Sequence, residues 1–214
     1  MKPREIILAV IVAVLLALVA FGWFQSRQRD VSGVAGARNL QQWGIALNLY
    51  LIDNDKQLPS VGGDPITPEQ TTAWYNALPP YISQTPLADL PDDQRPRPGD
   101  GSLWIDPGTK PPRIWDNSVF VFNYGMNRYL QPDKNLRSYK VNELHRPGNV
   151  IFLTEVDGYN PDATPDTVVF RNGKTANVLF CDGHVAPVSR SVLVDDPATR
   201  LSSTVEEGIS WFAE

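Results

Sequence analysis

IILAVIVAVLLALVAFGWF, from Ile6 to Phe24, is an uninterrupted apolar run near the start of this 214-residue chain. It carries no charge and no proline, and its single glycine is Gly22. At about 1.5 Å of rise per helical residue, a run of this length reaches roughly 30 Å, the thickness of a bilayer's hydrocarbon core. The run therefore predicts a membrane anchor over residues 1–29. The residues predicted to carry the anchor are Ile6, Leu8, Val12, Leu15, Leu16, Val19 and Phe24.

A cleavable secretory signal is the alternative explanation for a basic start followed by an apolar run. Two features favour retention of the segment. The run is longer than the roughly 7–15 apolar residues of a signal peptide. A small-x-small cleavage site is also absent around Ala20, because Leu18 stands two positions before it. The sequence therefore predicts an anchor that stays in the mature protein.

The composition excludes some partners and constrains how the exported part is stabilised. The net charge is −5, and acidic chains lack the clustered Lys and Arg that bind phosphate backbones, so no nucleic-acid partner is expected. The chain has one cysteine, Cys181, so an intramolecular disulfide is impossible. No cofactor is predicted. The domain outside the membrane must be held by its core or by partners.

A second helical pattern follows the apolar run. Residues 30–58 are predicted to extend the same helix as an amphipathic segment that Pro59 ends. Glycines weaken helices by up to about 1 kcal/mol each, so a bend or loosening is expected around residues 30–37. The apolar residues that recur at spacings of three and four are Val31, Val34, Leu40, Trp43, Leu47, and Tyr50 or Leu51.

Beyond this helix the pattern changes twice. Residues 59–117 are rich in proline, glycine and aspartate and predict an irregular connection. Residues 118–214 predict an antiparallel sheet domain, because short β-branched and aromatic runs alternate with turn residues. Ser203 begins a capping-box pattern that predicts a short C-terminal helix. The predicted strand segments are SVFVFNYG, NVIFLTEV, TVVFR, ANVLFCD and HVAPVS, with Asn172-Gly173 and Asp182-Gly183 as hairpin turns.

The predicted fold class is therefore α+β. It has a long N-terminal helix, with a transmembrane half and an amphipathic half, followed by an antiparallel sheet and a short C-terminal helix. This plan resembles that of type IV pilins and type II secretion pseudopilins. Three stretches sharpen the resemblance to the planctomycete and verrucomicrobial prepilin-like proteins that carry a "His-x9-Asp-Gly" signature. They are ARNLQQWGIALNLYLIDNDKQLP (Ala37–Pro59), FNYGMN (Phe122–Asn127) and NGKTANVLFCDGHV (Asn172–Val185).

The resemblance implies roles for particular residues. Glu5 stands at the mouth of the apolar run, where the family's glutamate sets subunit register by neutralising a neighbour's terminal amine. The alternative is that Glu5 lies in the headgroup zone of the membrane and stabilises the N-terminus of the helix through the helix dipole. The family's cleavage glycine is missing, since Lys2-Pro3-Arg4 precede Glu5. The signature's histidine is replaced by Asn172, ten positions before Asp182. The signature residues present in this chain are Asn172, Gly173, Asp182, Gly183 and His184.

Metal binding is a secondary hypothesis. Cys181 and His184 flank a turn, but zinc needs three or four ligands on fixed elements, so a plain hairpin is the favoured interpretation. An acidic stretch contains a calcium candidate, since some related pseudopilins bind calcium in a C-terminal loop and calcium takes six to eight oxygen ligands. It lacks the Asp-x-Asp-x-Asp-Gly pattern, which favours a solvated connection. The candidate ligands are Glu155, Asp157 and Asp162, with Asn160 and Asp166 nearby.

Motifs for catalysis are missing from the sequence, which predicts that the protein is not an enzyme. The leading hypothesis is a membrane-anchored, pseudopilin-like subunit or accessory of a type II secretion or type IV pilus filament. Its partners would be the membrane, other pilin-like subunits and the assembly machinery. The family's topology places the N-terminus in the cytoplasm, a single span in the inner membrane and the C-terminal domain in the periplasm or outside the cell. The alternative is a non-polymerising, membrane-tethered binding domain, which the missing cleavage glycine favours.

Overall fold

A computed structural model of the chain describes seven stretches of residues. They are 3–63, 66–109, 122–131, 137–158, 160–171, 173–195 and 208–212. Within the first stretch, the side chains of residues 3–10 and 23–32 lie outside that description.

Helix α1 spans Pro3–Asp53 and runs without a break through residues 30–37. Its C-terminal half buries one stripe at spacings of three and four. Val34, predicted to lie on that stripe, is 73% exposed, so this part of the prediction is wrong. Gly36 occupies the buried position instead, and a residue without a side chain gives no apolar signal in a sequence pattern. The buried stripe continues through Leu40, Trp43, Leu47, Tyr50 and Leu51.

Five strands in the described part of the chain form one mixed sheet in the order β3-β1-β2-β4-β5. Adjacent strands are antiparallel except β3, which runs parallel to β1. The Asp182-Gly183 turn joins β4 to β5, which confirms the hairpin predicted there. The strands are β1 (Phe122–Asn127), β2 (Ile151–Gly158), β3 (Asp162–Ala163), β4 (Thr175–Phe180) and β5 (Val185–Ser189).

Short helical turns connect these elements. Helix α2 spans Trp74–Ala77 and continues into a 3-10 turn over Pro79–Ile82, where two prolines remove backbone donors. A π-helical turn, Ser191–Asp195, follows β5. The remaining 3-10 turns are Leu87–Asp89, Asp92–Gln94, Arg128–Leu130, Val141–Glu143, Pro147–Asn149 and Pro165–Thr167.

The core forms where the C-terminal half of α1 packs against β4, β5 and the 3-10 turn after α2. At its centre is an aromatic cluster. Trp43 meets Trp74 edge-on at 5.7 Å between ring centroids and lies 4.7 Å from Trp104. Phe122 lies 6.0 Å from Trp74. The Pro-rich connection, predicted to be irregular, therefore supplies two of the core tryptophans.

The fold class predicted from the sequence is wrong. The predicted sheet is antiparallel, whereas the observed sheet is mixed, because the chain after β2 returns to pair on the far side of β1. Gly125 permits this pairing, since a Cβ there would lie 2.7 Å from the Asp162 carbonyl oxygen. Across the residues that the structure describes, no helix has both the length and the apolar character needed to cross a membrane.

Two further predicted elements differ from the structure. The TVVFR segment forms only an isolated bridge, Val156 to Val168, because β4 takes the place beside β2. The first part of the predicted C-terminal helix, residues 203–207, lies outside the described residues. The part that the structure describes, residues 208–212, is not helical. Ser210 forms a parallel bridge with Val150. The Trp211 indole N–H donates to the Leu193 carbonyl at 3.0 Å, and the ring is fully buried against the sheet domain.

A glycine contact fixes the distance between α1 and the sheet, which gives a testable expectation. A Cβ on Gly44 would lie 2.7 Å from the Gly183 carbonyl oxygen and 3.0 Å from Leu179. We expect Gly44→Ala to lower the free energy of unfolding by about 1–3 kcal/mol, since overpacking outweighs the gain in helix propensity. Gly22→Ala is the matched control, because nothing lies within 4 Å of a Cβ there. Urea unfolding that shows equal stability for the two variants would contradict this expectation.

Candidate functional site

The N-terminal part of α1 exposes apolar side chains on all its sides. We call residues 11–22 the apolar arm. Its large apolar side chains each expose between 49% and 69% of their surface. Because neighbouring positions such as Leu15 and Leu16 point in different directions around a helix, the exposure is not confined to one stripe. The exposed side chains are Ile11, Val12, Val14, Leu15, Leu16, Leu18, Val19 and Phe21.

The outward face of α1 beside the sheet domain also exposes apolar side chains. Ile45, Leu49 and Ile52 follow one another at spacings of four and three, and they are 49%, 42% and 67% exposed. This stripe lies on the side of the helix away from the buried core positions. Exposed apolar surface of this extent on a soluble monomer marks an interaction surface.

The predicted anchor residues divide between described and undescribed side chains. Val12, Leu15, Leu16 and Val19 are described and belong to the apolar arm. The other predicted anchor and register residues lie on α1, but their side chains fall outside the description. They are Glu5, Ile6, Leu8 and Phe24.

The signature residues near the C-terminus form a tight turn. Gly183 adopts a positive φ of 91°, which glycine accepts without strain. The Asp182 carboxylate accepts from the His184 backbone N–H at 3.0 Å, and its Oδ1 lies 2.6 Å from His184 Nδ1. The His184 ring stacks on Phe180 at 4.4 Å. Gly173 also has a positive φ, of 92°, and Asn172 lies outside the described residues.

This turn is a docking point for α1. Gly183 packs against the Asn48 side chain so closely that an added Cβ would overlap it, and the Gly183 carbonyl faces Gly44. Cys181, beside the turn, is fully buried, and burial raises the pKa of its thiol well above the usual value. The buried Cys181 thiol is unreactive. The exposed His184 is held by its contact with Asp182. Both observations indicate a structural role for the turn.

The three calcium candidates are placed in different environments. Glu155 is fully buried, whereas Asp157 is exposed and lies 3.9 Å from the Arg171 guanidinium. Asp162 lies 3.7 Å from the Arg128 guanidinium. Within the described stretches, no group of three or more His, Cys, Asp or Glu side chains could hold a metal ion.

Sequence reasoning missed a buried polar cluster between α1 and the sheet, which we call the polar seam. It consists of Glu155, Asn177, Asp106, Tyr124 and Asn123, which are all buried. The available signal in the sequence was a glutamate inside the strand-like run VIFLTEV. A charged side chain is rarely buried without a partner, so a glutamate in a buried strand indicates polar groups around it.

Asn177 links the seam to α1. Its Nδ2 donates to Glu155 Oε1 at 2.6 Å and to the Gly33 carbonyl oxygen of α1 at 3.0 Å. The backbone N–H of Asn177 also donates to Glu155 Oε1, at 3.2 Å. Glu155 Oε2 has no hydrogen-bond partner among the described atoms.

Asp106 forms the second half of the seam. Its Oδ1 accepts from the Gly108 N–H at 2.7 Å, and the Tyr124 hydroxyl lies 3.5 Å from its Oδ2. A Cβ on Gly36 would overlap Asp106 Oδ2, so only glycine lets α1 come this close. The Asp106 backbone N–H donates to Asn123 Oδ1 at 3.0 Å.

The environment shifts the titration of these groups. Burial, and then the negative charge of Asp106, raise the pKa of Glu155 to about 7, although Asn177 and Arg171 act in the opposite direction. Burial raises the pKa of Asp106 as well, against the lowering effect of Arg171. Burial also raises the pKa of the Tyr124 hydroxyl well above its ordinary value. The seam therefore favours a protonated Glu155 below about pH 7.

No family model, curated protein or solved structure matches this chain. The functional interpretation therefore depends on two features of the molecule itself. The first is the apolar arm, which the described molecule leaves uncovered. The second is the polar seam, which joins α1 to the sheet.

Proposed function

We propose that the protein is a structural subunit or accessory of a type II secretion or type IV pilus filament. It would assemble with pilin-like subunits through the apolar arm. The observation that supports this most is the exposure of eight large apolar side chains along residues 11–22. Side chains of this kind are stable only when water is excluded from them, either by lipid or by neighbouring helices, and helices in lipid associate through close packing of their side chains.

We also infer where the subunit is held before it assembles. The proposed site is the inner membrane, with the N-terminus in the cytoplasm and the sheet domain in the periplasm. The uncharged run from Ile6 to Phe24 supports this location. Glu5 would set the register between neighbouring subunits, because a carboxylate in an apolar environment needs a cationic partner. The role is mechanical and involves no chemical step.

A charge placed in the arm tests the proposal. We expect Leu16→Asp to reduce the assembled fraction at least tenfold, because a carboxylate among packed apolar side chains loses its hydration without a partner. Leu16 is 65% exposed in the isolated subunit, so the fold of the sheet domain should be unaffected. The measurement is sedimentation of crosslinked assemblies from detergent-treated membranes of expressing cells. Gln42→Asp, at an exposed polar position of the same helix, is the control.

Assembly of Leu16→Asp at the wild-type level would refute the proposed role of the arm. Loss of assembly in Gln42→Asp as well would show that any added charge on α1 disrupts the subunit. Either result would remove the support that the exposed arm gives to the filament hypothesis.

One sequence feature favours the second candidate, a membrane-tethered binding domain that does not polymerise. Lys2-Pro3-Arg4 occupy the place of the family's cleavage glycine. The intact mass of the protein purified from membranes distinguishes the two functions. A mature N-terminus at Glu5 supports the filament, whereas an intact Met1 together with failure to crosslink into multimers supports the tether.

A further inference from the structure

The polar seam is the place where the long helix is joined to the sheet domain by polar contacts. Asn177 of β4 donates to the Gly33 carbonyl oxygen, and Asn39 of α1 donates to the Ile105 carbonyl oxygen at 3.0 Å. Gly36 lies between these contacts against Asp106. Residues 33–39 of α1 are therefore attached to both β4 and the loop that carries Asp106.

Two carboxyl groups are buried at this junction. Glu155 is 0% exposed and Asp106 is 2% exposed. The charged and titratable groups that act on Glu155 and Asp106 are Arg171, which precedes β4, and Tyr124 of β1. Arg171 Nη2 donates to the Val156 carbonyl oxygen at 2.7 Å, so part of its hydrogen-bonding capacity is already used. From α1, the seam receives a backbone carbonyl and the Asn39 amide, neither of which carries a charge.

We propose that the polar seam is a pH-controlled latch, in which a proton on the buried Glu155–Asp106 pair holds residues 33–39 of α1 on the sheet. Loss of that proton weakens the attachment. This inference concerns how the arm is joined to the sheet domain, and it stands independently of the filament role proposed above.

The direction follows from the contacts of Glu155. In the neutral acid, Oε1 still accepts from Asn177, and Oε2 carries no charge. In the carboxylate, the charge is shared by both oxygens, of which Oε2 has no hydrogen-bond partner in the described structure, and the group lies in the field of Asp106. Burying such a charge is costly, and opening the seam to water relieves the cost.

The pH window follows from linkage. The pKa of Glu155 is about 7 in the closed seam and near 4.5 when the group is exposed to water. The closed seam binds the proton more tightly than the open seam does. The stability that this proton contributes is therefore fully present below pH 4.5 and is lost as the pH rises through about 7. Two glycines in this stretch, Gly33 and Gly36, lower the helix propensity that would otherwise resist local opening.

Hydrogen exchange of the full chain in detergent micelles, read by mass spectrometry, tests the latch. We expect the protection of amides in residues 33–39 to fall at least tenfold between pH 5.0 and 7.5, after correction for the intrinsic exchange rate. Amides of β1 should stay more strongly protected than those of residues 33–39 at every pH, because they exchange only when the whole domain opens. Glu155→Gln keeps an oxygen acceptor for Asn177 without a titrating proton, so its protection should change less than threefold. Asp93→Asn, at an exposed carboxylate remote in sequence, should behave like the wild type.

Three results would overturn the latch. The first is wild-type protection that stays constant over this pH range. The second is a Glu155→Gln variant with the same pH dependence as the wild type. The third is protection of residues 33–39 that equals that of β1 at pH 7.5, because it would indicate global unfolding instead of a local release. If Glu155→Gln does not fold, the wild-type profile in residues 33–39 and β1 decides the question.

Discussion

Replacing Trp43 with alanine is expected to lower the free energy of unfolding by about 3–5 kcal/mol, which is a large part of the stability of a domain of this size. Trp43 is fully buried on α1 and contacts both Trp74 and Trp104. Its removal leaves a cavity among side chains from three separate segments, none of which can collapse into it without moving the others. Urea unfolding followed by near-ultraviolet circular dichroism measures the loss.

Trp43→Phe is the matched control for this prediction. Its ring keeps most of the aromatic packing, and the substitution removes an indole N–H that has no hydrogen-bond partner in the described structure. We expect this variant to lose less than about 2 kcal/mol. If both variants were equally destabilised, the indole N–H would have a role that packing alone does not explain. If neither were destabilised, Trp43 would not be central to the core.

Global stability should fall between pH 5 and 7.5 by about 2 kcal/mol on account of Glu155 alone. The sign follows from the pKa of this group, which is about 7 in the folded protein and lies near its ordinary value of 4.5 in the unfolded chain. The folded state therefore binds more protons in this interval, and deprotonation favours the unfolded state. The raised pKa of Asp106 acts in the same direction. Urea midpoints at half-unit pH steps measure the decline.

The Glu155→Gln variant separates this group from the other carboxylates. It should flatten most of the decline, whereas Asp93→Asn, at an exposed carboxylate, should leave the slope unchanged. A stability that rises from pH 5 to 7.5 would contradict the prediction. This measurement concerns global unfolding and is therefore distinct from local exchange in residues 33–39.

The parts of the fold that follow from local pattern were predictable. The C-terminal strands ANVLFCD and HVAPVS and their Asp182-Gly183 turn have the alternation and turn residues that form hairpins in many contexts. The position of β3 was not predictable in this way. Its pairing with β1 depends on a long-range contact beside Gly125, and a two-residue strand has no periodicity to detect.

The candidate site was likewise predictable from the sequence only in part. The apolar arm coincides with an apolar run that is evident from composition, but the structure was needed to show that the described domain leaves the arm uncovered. The polar seam brings together Asp106, Tyr124, Glu155 and Asn177 from distant parts of the chain. From sequence, the glycines of residues 30–37 predict a loosening of the helix. The structure shows a further role for Gly36, and for Gly44 beyond that stretch, since the backbone of α1 lies close to other parts of the molecule at both positions.

The strand order of the sheet bears on whether copies of this molecule aggregate through their edges. Among the strands that the structure describes, the two outer ones are β3, which is only two residues long, and β5, which contains Pro187. Short outer strands and a proline in an outer strand both discourage a neighbouring chain from adding a strand of its own. At high protein concentrations, these two strands thus protect the sheet against amyloid-like growth. In the filament proposed above, contacts between copies would be made by α1.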